Sequence, residues 1–138
     1  MNNSTRKILA LLRRNGRSKY KEMGNLIEEP LTSAYLKHKQ LEQRVIKKYA
    51  TMVHFQKLGY VLRYFVLIKT KSLPDHILHH PCINSVYTIN NGYRYMLDLY
   101  VKDLESFETF HEQLKILEAG IKIVPVIQTL DEERFLDS

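Results

Sequence analysis

The chain has 138 residues, 44% of them hydrophobic, and carries 21 Lys and Arg against 15 Asp and Glu. That composition supports ordinary globular cores, excludes a low-hydrophobicity disordered chain, and leaves room for one domain or two small ones. The charge is uneven: residues 1–60 hold thirteen basic and four acidic residues, a net of +9, whereas residues 61–138 hold eight and eleven, a net of −3. The first half therefore favours a polyanion and reads as the part that touches nucleic acid; the second half would repel one. No apolar run approaches a membrane span, and Met1-Asn2-Asn3-Ser4-Thr5 leads directly into a charged amphipathic segment rather than a signal-peptide core. The single cysteine, Cys82, cannot form an internal disulfide, so the cytoplasm is the expected compartment.

Three short helices are predicted in the basic half. Ser4 or Thr5 caps the first, which turns Ile8, Leu11 and Leu12 to one face and Arg6, Lys7, Arg13 and Arg14 to the other, with Asn15-Gly16 as a left-handed stop. The second starts near Ser18, sets Tyr20, Met23, Leu26 and Ile27 at helical spacing, and is broken by Glu28-Glu29-Pro30. The third, about residues 31–43, puts Leu31, Ala34, Leu41 and His38 inward, and shows Thr32, Ser33, Tyr35, Lys37, Lys39 and Gln40 outward. A polar, basic third helix after a short turn suits a helix-turn-helix whose last helix enters the major groove. Thr32, Ser33 and Gln40 then hydrogen-bond base edges, with Tyr35 on the same DNA-binding surface, while Lys37, Lys39, Arg44, Lys47 and Lys48 neutralise phosphates. The plainer alternative, that these lysines are a solvated helix face, is weakened by the charge difference between the halves.

Val45-Ile46-Lys47-Lys48-Tyr49 alternates loosely and is expected to leave the third helix as an extended strand, serving as wing and linker. The domains are accordingly read as a winged helix-turn-helix over 1–48, a linker strand over 49–60 and a second domain over 61–138. From Val61 to Lys69 the chain is β-branched and aromatic on both faces, as in a strand covered on each side. Ser72 caps a short helix opened by Pro74 and ended before Pro81. Ile83–Ile89 and Tyr93–Val101 form a hairpin about Asn90-Asn91-Gly92, with Tyr95, Leu97, Leu99 and Val101 on one face and Arg94, Met96, Asp98 and Tyr100 on the other. Asp103 caps a helix bearing Leu104, Phe107, Phe110, Leu114 and Leu117, ended by Gly120. Ile121–Leu130 is the last strand, and Pro125 argues for an edge position or a bulge.

The order β-α-β-β-α-β specifies a ferredoxin-like sandwich, giving an α+β chain whose second domain has helices on one face of a four-stranded antiparallel sheet. Met96 and Tyr100 point to the other face, and a second copy of the chain is the economical cover for it. Such a homodimer would offer two recognition helices to two DNA half-sites.

Few residues suggest chemistry. His76 and His80 share a helical face near His79 and Cys82 and have a spacing open to a divalent metal, but Ile77 and Leu78 claim the buried side of so short a helix, and surface imidazoles are ordinary. No phosphate loop, nucleophile elbow or paired carboxylate stands in the chain, and Glu105, Glu108 and Glu112 read as a solvated helix face. No catalytic residue, metal or cofactor is assigned.

Ile8-Leu9-Ala10-Leu11-Leu12 followed by Asn15-Gly16-Arg17, then Leu41-Glu42 before Val45-Ile46, Lys57-Leu58-Gly59-Tyr60, Ser85-Val86-Tyr87 ahead of Gly92-Tyr93, and Val101-Lys102-Asp103-Leu104 together resemble the Lrp/AsnC family of feast/famine regulators over nearly the whole chain. The resemblance implies sequence-specific DNA binding by dimers or larger rings, commonly octamers, with an amino-acid-like small molecule held between the effector domains. It places effector binding on Asn90, Asn91, Gly92, Tyr93 and Arg94. Arg94 stands where relatives commonly have an acidic group, and is open either to an anionic ligand or to an ion pair with Asp98. Two further readings remain: a siroheme decarboxylase-like tetrapyrrole enzyme subunit of the same fold, which resembles this chain at Lys57-Leu58-Gly59-Tyr60, and an assembly partner with a degenerate DNA module. The acidic end, Asp131 to Ser138, is either a frayed tail or a strap that docks Phe135 and Leu136 on a neighbouring subunit.

Overall fold

A computed structural model of the chain describes residues 1–133 and opens on a capped helix. Asn2, rather than Ser4 or Thr5, is the cap: its Oδ1 accepts from the Thr5 backbone N–H at 2.8 Å, and α1 runs Asn3–Arg14. Its end also differs from the sequence reading. Asn15 is extended (φ −148°, ψ 97°), so no left-handed residue stops α1 there; the chain turns through Gly16 and Arg17, and the Asn15 side chain accepts from the Arg17 N–H at 3.0 Å. α2 follows at Tyr20–Ile27 and α3 at Leu31–Arg44. The left-handed stop lies between them, at Glu28 (φ 57°, ψ 42°), and the Glu29 N–H donates to the Gly24 carbonyl at 3.1 Å to close the turn.

These helices pack Ile8, Leu12, Met23, Ile27, Ala34 and Leu41 into one small core, with Leu9, Leu11, Tyr20 and Ile46 at its margin. Each large side chain there contributes about 1.5–3 kcal/mol by leaving water. Leu26 and Leu31, both expected inward, are 42% and 53% exposed; Leu26 lies a turn-face away from Met23 and Ile27, and Leu31 stands in the first turn of α3, where Ala34 is the first residue to reach the core. The expected wing strand over 45–49 and linker strand over 49–60 are not formed. Residues 46–54 have no regular structure, and among the described residues they pair with none of the four strands. A single 3-10 turn, Phe55–Leu58, ends on Gly59 at φ +87°, a conformation that favours glycine.

The chain divides into two units, Met1–Met52 with the segment from Asp131, and Val53–Leu130. In the second unit β1 is Leu62–Lys69, α4 Asp75–Leu78, β2 Ile83–Thr88, β3 Tyr95–Val101, α5 Leu104–Lys115 and β4 Gly120–Val126. The sheet is antiparallel in the order β2-β3-β1-β4, the arrangement of a ferredoxin-like sandwich. β4 is an edge strand, which accommodates Pro125 as expected. It stops at Val126 rather than Leu130, and Ile127 and Leu130 are 99% and 88% exposed. Val66, Ile68, Leu97, Leu99 and Val101 form the core with Ile77 from α4 and Phe107, Phe110 and Leu114 from α5.

Asp103 caps α5, accepting from the Ser106 N–H at 2.7 Å, as its sequence suggested. Gly120 does not end that helix; it belongs to β4, and Glu118 takes the left-handed turn (φ 51°) before it. Pro74, not Ser72, precedes α4, and the carbonyl of Thr70's neighbour Ser72 instead accepts from the Thr70 hydroxyl at 3.0 Å. Among the described residues no helix is long and apolar enough to cross a membrane. The strap suggested for Phe135 and Leu136 lies outside the described residues.

Candidate nucleic-acid interface

α3 is built to show one face. Ala34, His38 and Leu41 recur at helical spacing and are buried, which turns Thr32, Leu36, Lys39, Gln40 and Gln43 away from the core. Of the residues expected to contact DNA, Thr32, Gln40 and Arg44 are exposed on α3, Ser33 is half-buried, and Lys47 and Lys48 are exposed just beyond its end. Lys37 is instead held by Glu29, so the acid in the turn is neutralised by the helix behind it. Lys39 bonds Glu42 at 3.2 Å, and its ammonium stands 5.5 Å over the Tyr35 ring. The hydrogen bond with Glu42 raises the Lys39 ammonium above its ordinary value, and the same bond lowers the Glu42 carboxyl. Tyr35 is 42% exposed and meets Tyr20 edge-on at 5.2 Å, which fixes its ring at the rim of the face.

Two outward residues escaped the sequence reading. Leu36 is 61% exposed, and Gln43 lies on the same line along α3. Both sit opposite the Ala34–His38–Leu41 stripe, so a helical projection centred on that stripe would have found them. An amide reads base edges and an exposed leucine suits a thymine methyl group.

Beneath this face lies a polar hub. His38, 8% exposed, places Nδ1 3.0 Å from the Tyr20 hydroxyl and Nε2 2.7 Å from the Tyr49 hydroxyl and 3.2 Å from Glu42 Oε1. The Tyr49 hydroxyl donates to Glu42 Oε1 at 3.2 Å. The group is satisfied throughout when His38 Nε2–H donates to Tyr49 and Nδ1 accepts from Tyr20.

The second unit carries the hairpin assigned to an effector. Asn90 and Asn91 are exposed, Asn91 and Gly92 both have positive φ (93° and 83°), and Tyr93 is half-buried beneath the Lys69 ammonium at 5.0 Å. Arg94 is exposed, and its backbone is tied to the sheet by the Arg94 N–H to Ile68 carbonyl bond at 3.0 Å. The ion pair considered between Arg94 and Asp98 is not made. Asp98, 3% exposed, is taken by Arg63 through two bonds, Nε to Oδ1 at 3.0 Å and Nη2 to Oδ2 at 3.1 Å, and Asn84 donates to Oδ2 at 3.2 Å. Register explains the exchange: Phe65 lies opposite Asp98 and Tyr100 opposite Arg63, so Arg63 is a diagonal neighbour of Asp98 on one face. Its guanidinium also stands over the rings of Phe65 (5.2 Å) and Tyr100 (4.9 Å), and Phe55 stacks on Tyr100 at 4.0 Å.

Among the described residues no three His, Cys, Asp or Glu side chains gather as a metal site. His80 packs against Phe110, and burial, with His76 nearby, lowers its imidazole below the ordinary value. Burial pushes the Cys82 thiol up to about 11.

No protein-family model matches the chain. In sequence it is 27% identical over 124 residues to an uncharacterised HTH-type transcriptional regulator of Pyrococcus horikoshii, a stretch covering 86% of this chain and 75% of that one. An HTH-type regulator of Pyrococcus furiosus is 25% identical over 119 residues, 82% of this chain and 79% of its own. Among solved structures, LrpC of Bacillus subtilis superposes with a TM-score of 0.87 at 24% identity, covering 96% of this chain and 98% of that one. The leucine response regulatory protein LrpA of Mycobacterium tuberculosis gives 0.82 at 18% identity and 99% coverage of both chains. The chain has the Lrp/AsnC-type fold. Its N-terminal helix-turn-helix and ferredoxin-like sandwich are the two modules of that fold, and transcriptional regulation is the function shared by these relatives. An Lrp/AsnC architecture also accounts for the charge division along the sequence, since one module presents α3 and the other presents a sheet.

Proposed function

We propose that this Lrp/AsnC-type chain binds duplex DNA sequence-specifically through α3 and regulates transcription as a homodimer or a larger ring such as an octamer. The observation that carries the reading is the outward line Thr32, Leu36, Gln40 and Gln43 on a helix whose opposite side is locked into the core, on a basic head with Arg44, Lys47 and Lys48 exposed at the helix end. Base edges are read by the amides, the hydroxyl and the leucine; phosphates are met by the cations. Lys37, held by Glu29, is the weakest of the candidate phosphate ligands.

A second copy fits the sheet face opposite α4 and α5. Phe65, Leu67, Met96 and Tyr100 line that face half-buried, Tyr87 is 49% exposed, and the half-buried Arg63 paired with the buried Asp98 gives the polar centre against which an identical surface would register. A small-molecule effector is supported by two neighbours of the same fold, a regulator of Neisseria meningitidis solved as its L-Met complex and a feast or famine regulatory protein of Mycobacterium tuberculosis complexed with L-methionine. On this chain Asn90, Asn91, Gly92, Tyr93 and Arg94 would form the ligand corner, with Arg94 exposed for a carboxylate. The cytoplasm is the compartment in which such a regulator meets DNA.

Footprinting on the DNA upstream of the chain's own gene, with and without L-methionine, tests the reading. A protected segment is expected at moderate salt. Absence of protection at low and moderate salt would remove the DNA-binding reading, and protection unchanged by L-methionine would remove methionine as its effector.

A further inference from the structure

We infer that Tyr49 is a positioning residue for DNA binding: through His38 and Glu42 it pins the segment carrying Lys47 and Lys48 against α3. The inference rests on the duplex-DNA reading above and names what holds one part of that interface in place.

Residues 46–54 have no regular structure, and a loose segment of this kind ordinarily pays for its freedom when it binds. Here the segment is tied on both sides of its two lysines. Before them, the Ile46 N–H donates to the Leu41 carbonyl at 2.7 Å and the Ile46 side chain packs on the core of the head. After them, the Tyr49 hydroxyl takes its place between His38 Nε2 at 2.7 Å and Glu42 Oε1 at 3.2 Å. The Tyr49 ring lies over the turn after α1, where a Cβ added to Gly16 would stand 3.6 Å from its Cδ1. Lys47 and Lys48, both exposed, are thus carried on a short span held at each end.

The hub is wired to α3 itself. His38 and Glu42 are one turn apart on that helix, and His38 reaches across to the Tyr20 hydroxyl of α2 at 3.0 Å. The charged and titratable groups around it are Glu42, Lys39, Tyr20, Tyr35 and Tyr49. Burial, with the Glu42 charge beside it, pushes the Tyr49 phenol above its ordinary value. The recognition helix and the two lysines are therefore presented as one preordered surface, and losing the Tyr49 hydroxyl releases the lysines while leaving the outward face of α3 unaltered.

The experiment is a double-mutant cycle on the full chain between Tyr49→Phe and the pair Lys47→Ala/Lys48→Ala, reading Kd for a duplex from the protected region over a salt series. The lysine pair is expected to weaken binding and to lower the salt slope by about 1.8, at about 0.9 per phosphate contact. Tyr49→Phe is expected to weaken binding about five-fold, and less than about two-fold when the two lysines are already absent, a coupling of ordinary size for groups sharing one network. Limited trypsin digestion of the free protein supplies a readout that global destabilisation does not mimic: cleavage after Lys47 and Lys48 should accelerate in Tyr49→Phe while other sites keep their rates. A five-fold loss that persists without the lysines, wild-type affinity for Tyr49→Phe, or unchanged cleavage at Lys47 and Lys48 would each overturn the inference with DNA binding intact. Failure of the wild-type chain to bind any duplex would remove the DNA reading itself.

Discussion

Asp98 shares a sheet face with Arg94, yet the pleat and register bring Arg63 from the neighbouring strand to both of its oxygens. A carboxylate 3% exposed without its guanidinium is an uncompensated charge, so Arg63→Met should destabilise the sandwich by about 3 kcal/mol in urea unfolding at fixed protein concentration. Adding Asp98→Asn should recover much of that loss. An equal cost for the single and double variants would show that the pair is not the reason. Cys82 is a second test at this scale. With its thiol pushed up to about 11 from an ordinary 9.0, it should react with a disulfide reagent at pH 8 about a hundred-fold more slowly than an unhindered thiol of ordinary acidity. Because the folded value is the higher one, the unfolded thiol ionises first, and this group's contribution to stability is full below pH 9 and falls as pH rises toward 11.

Gly24 sets the geometry of the turn between α2 and α3. A Cβ placed there would lie 3.0 Å from the Glu29 carbonyl, a backbone atom in a turn already closed by the Glu29 N–H to Gly24 bond. Gly24→Ala should therefore fail to deliver the ~1 kcal/mol that the exchange gives in an open helix, and thermal melts of the variant should show no gain. A rise in Tm matching that gain would mean the turn yields freely. The element order and the inward faces were legible because they depend on local periodicity: Ala34, His38 and Leu41 in α3, and Leu97, Leu99 and Val101 in β3, are buried as their spacing requires. The Asp103 cap was legible for the same reason. What was hidden depends on distant partners. The segment after α3 alternates like a strand but pairs with none of the four strands, and Leu31 and Leu26 are apolar residues on helices too short to bury them all. In the interface, the cations were visible as charges; that Glu29 occupies Lys37, and that Tyr49 reaches back to His38, follow only from the packed turn.

For the whole molecule, the charge division of the sequence coincides with a division of structure, a basic helical head and a sheet domain. If a second copy covers the sheet face opposite α4 and α5, Met96→Glu should yield monomers in sedimentation, with heads still folded by circular dichroism and affinity for a two-half-site duplex reduced about 100-fold, because linkage of the two heads is lost. Dimers that survive the charge would place the interface elsewhere. The most direct test of the central claim is the salt dependence of binding to duplex DNA from the chain's own upstream region, measured for the wild-type chain and for Arg44→Ala. The account predicts that log K falls linearly with log salt and that the slope shrinks by about 0.9 in the variant. No binding at low salt, or a slope that the substitution leaves unchanged, would contradict it.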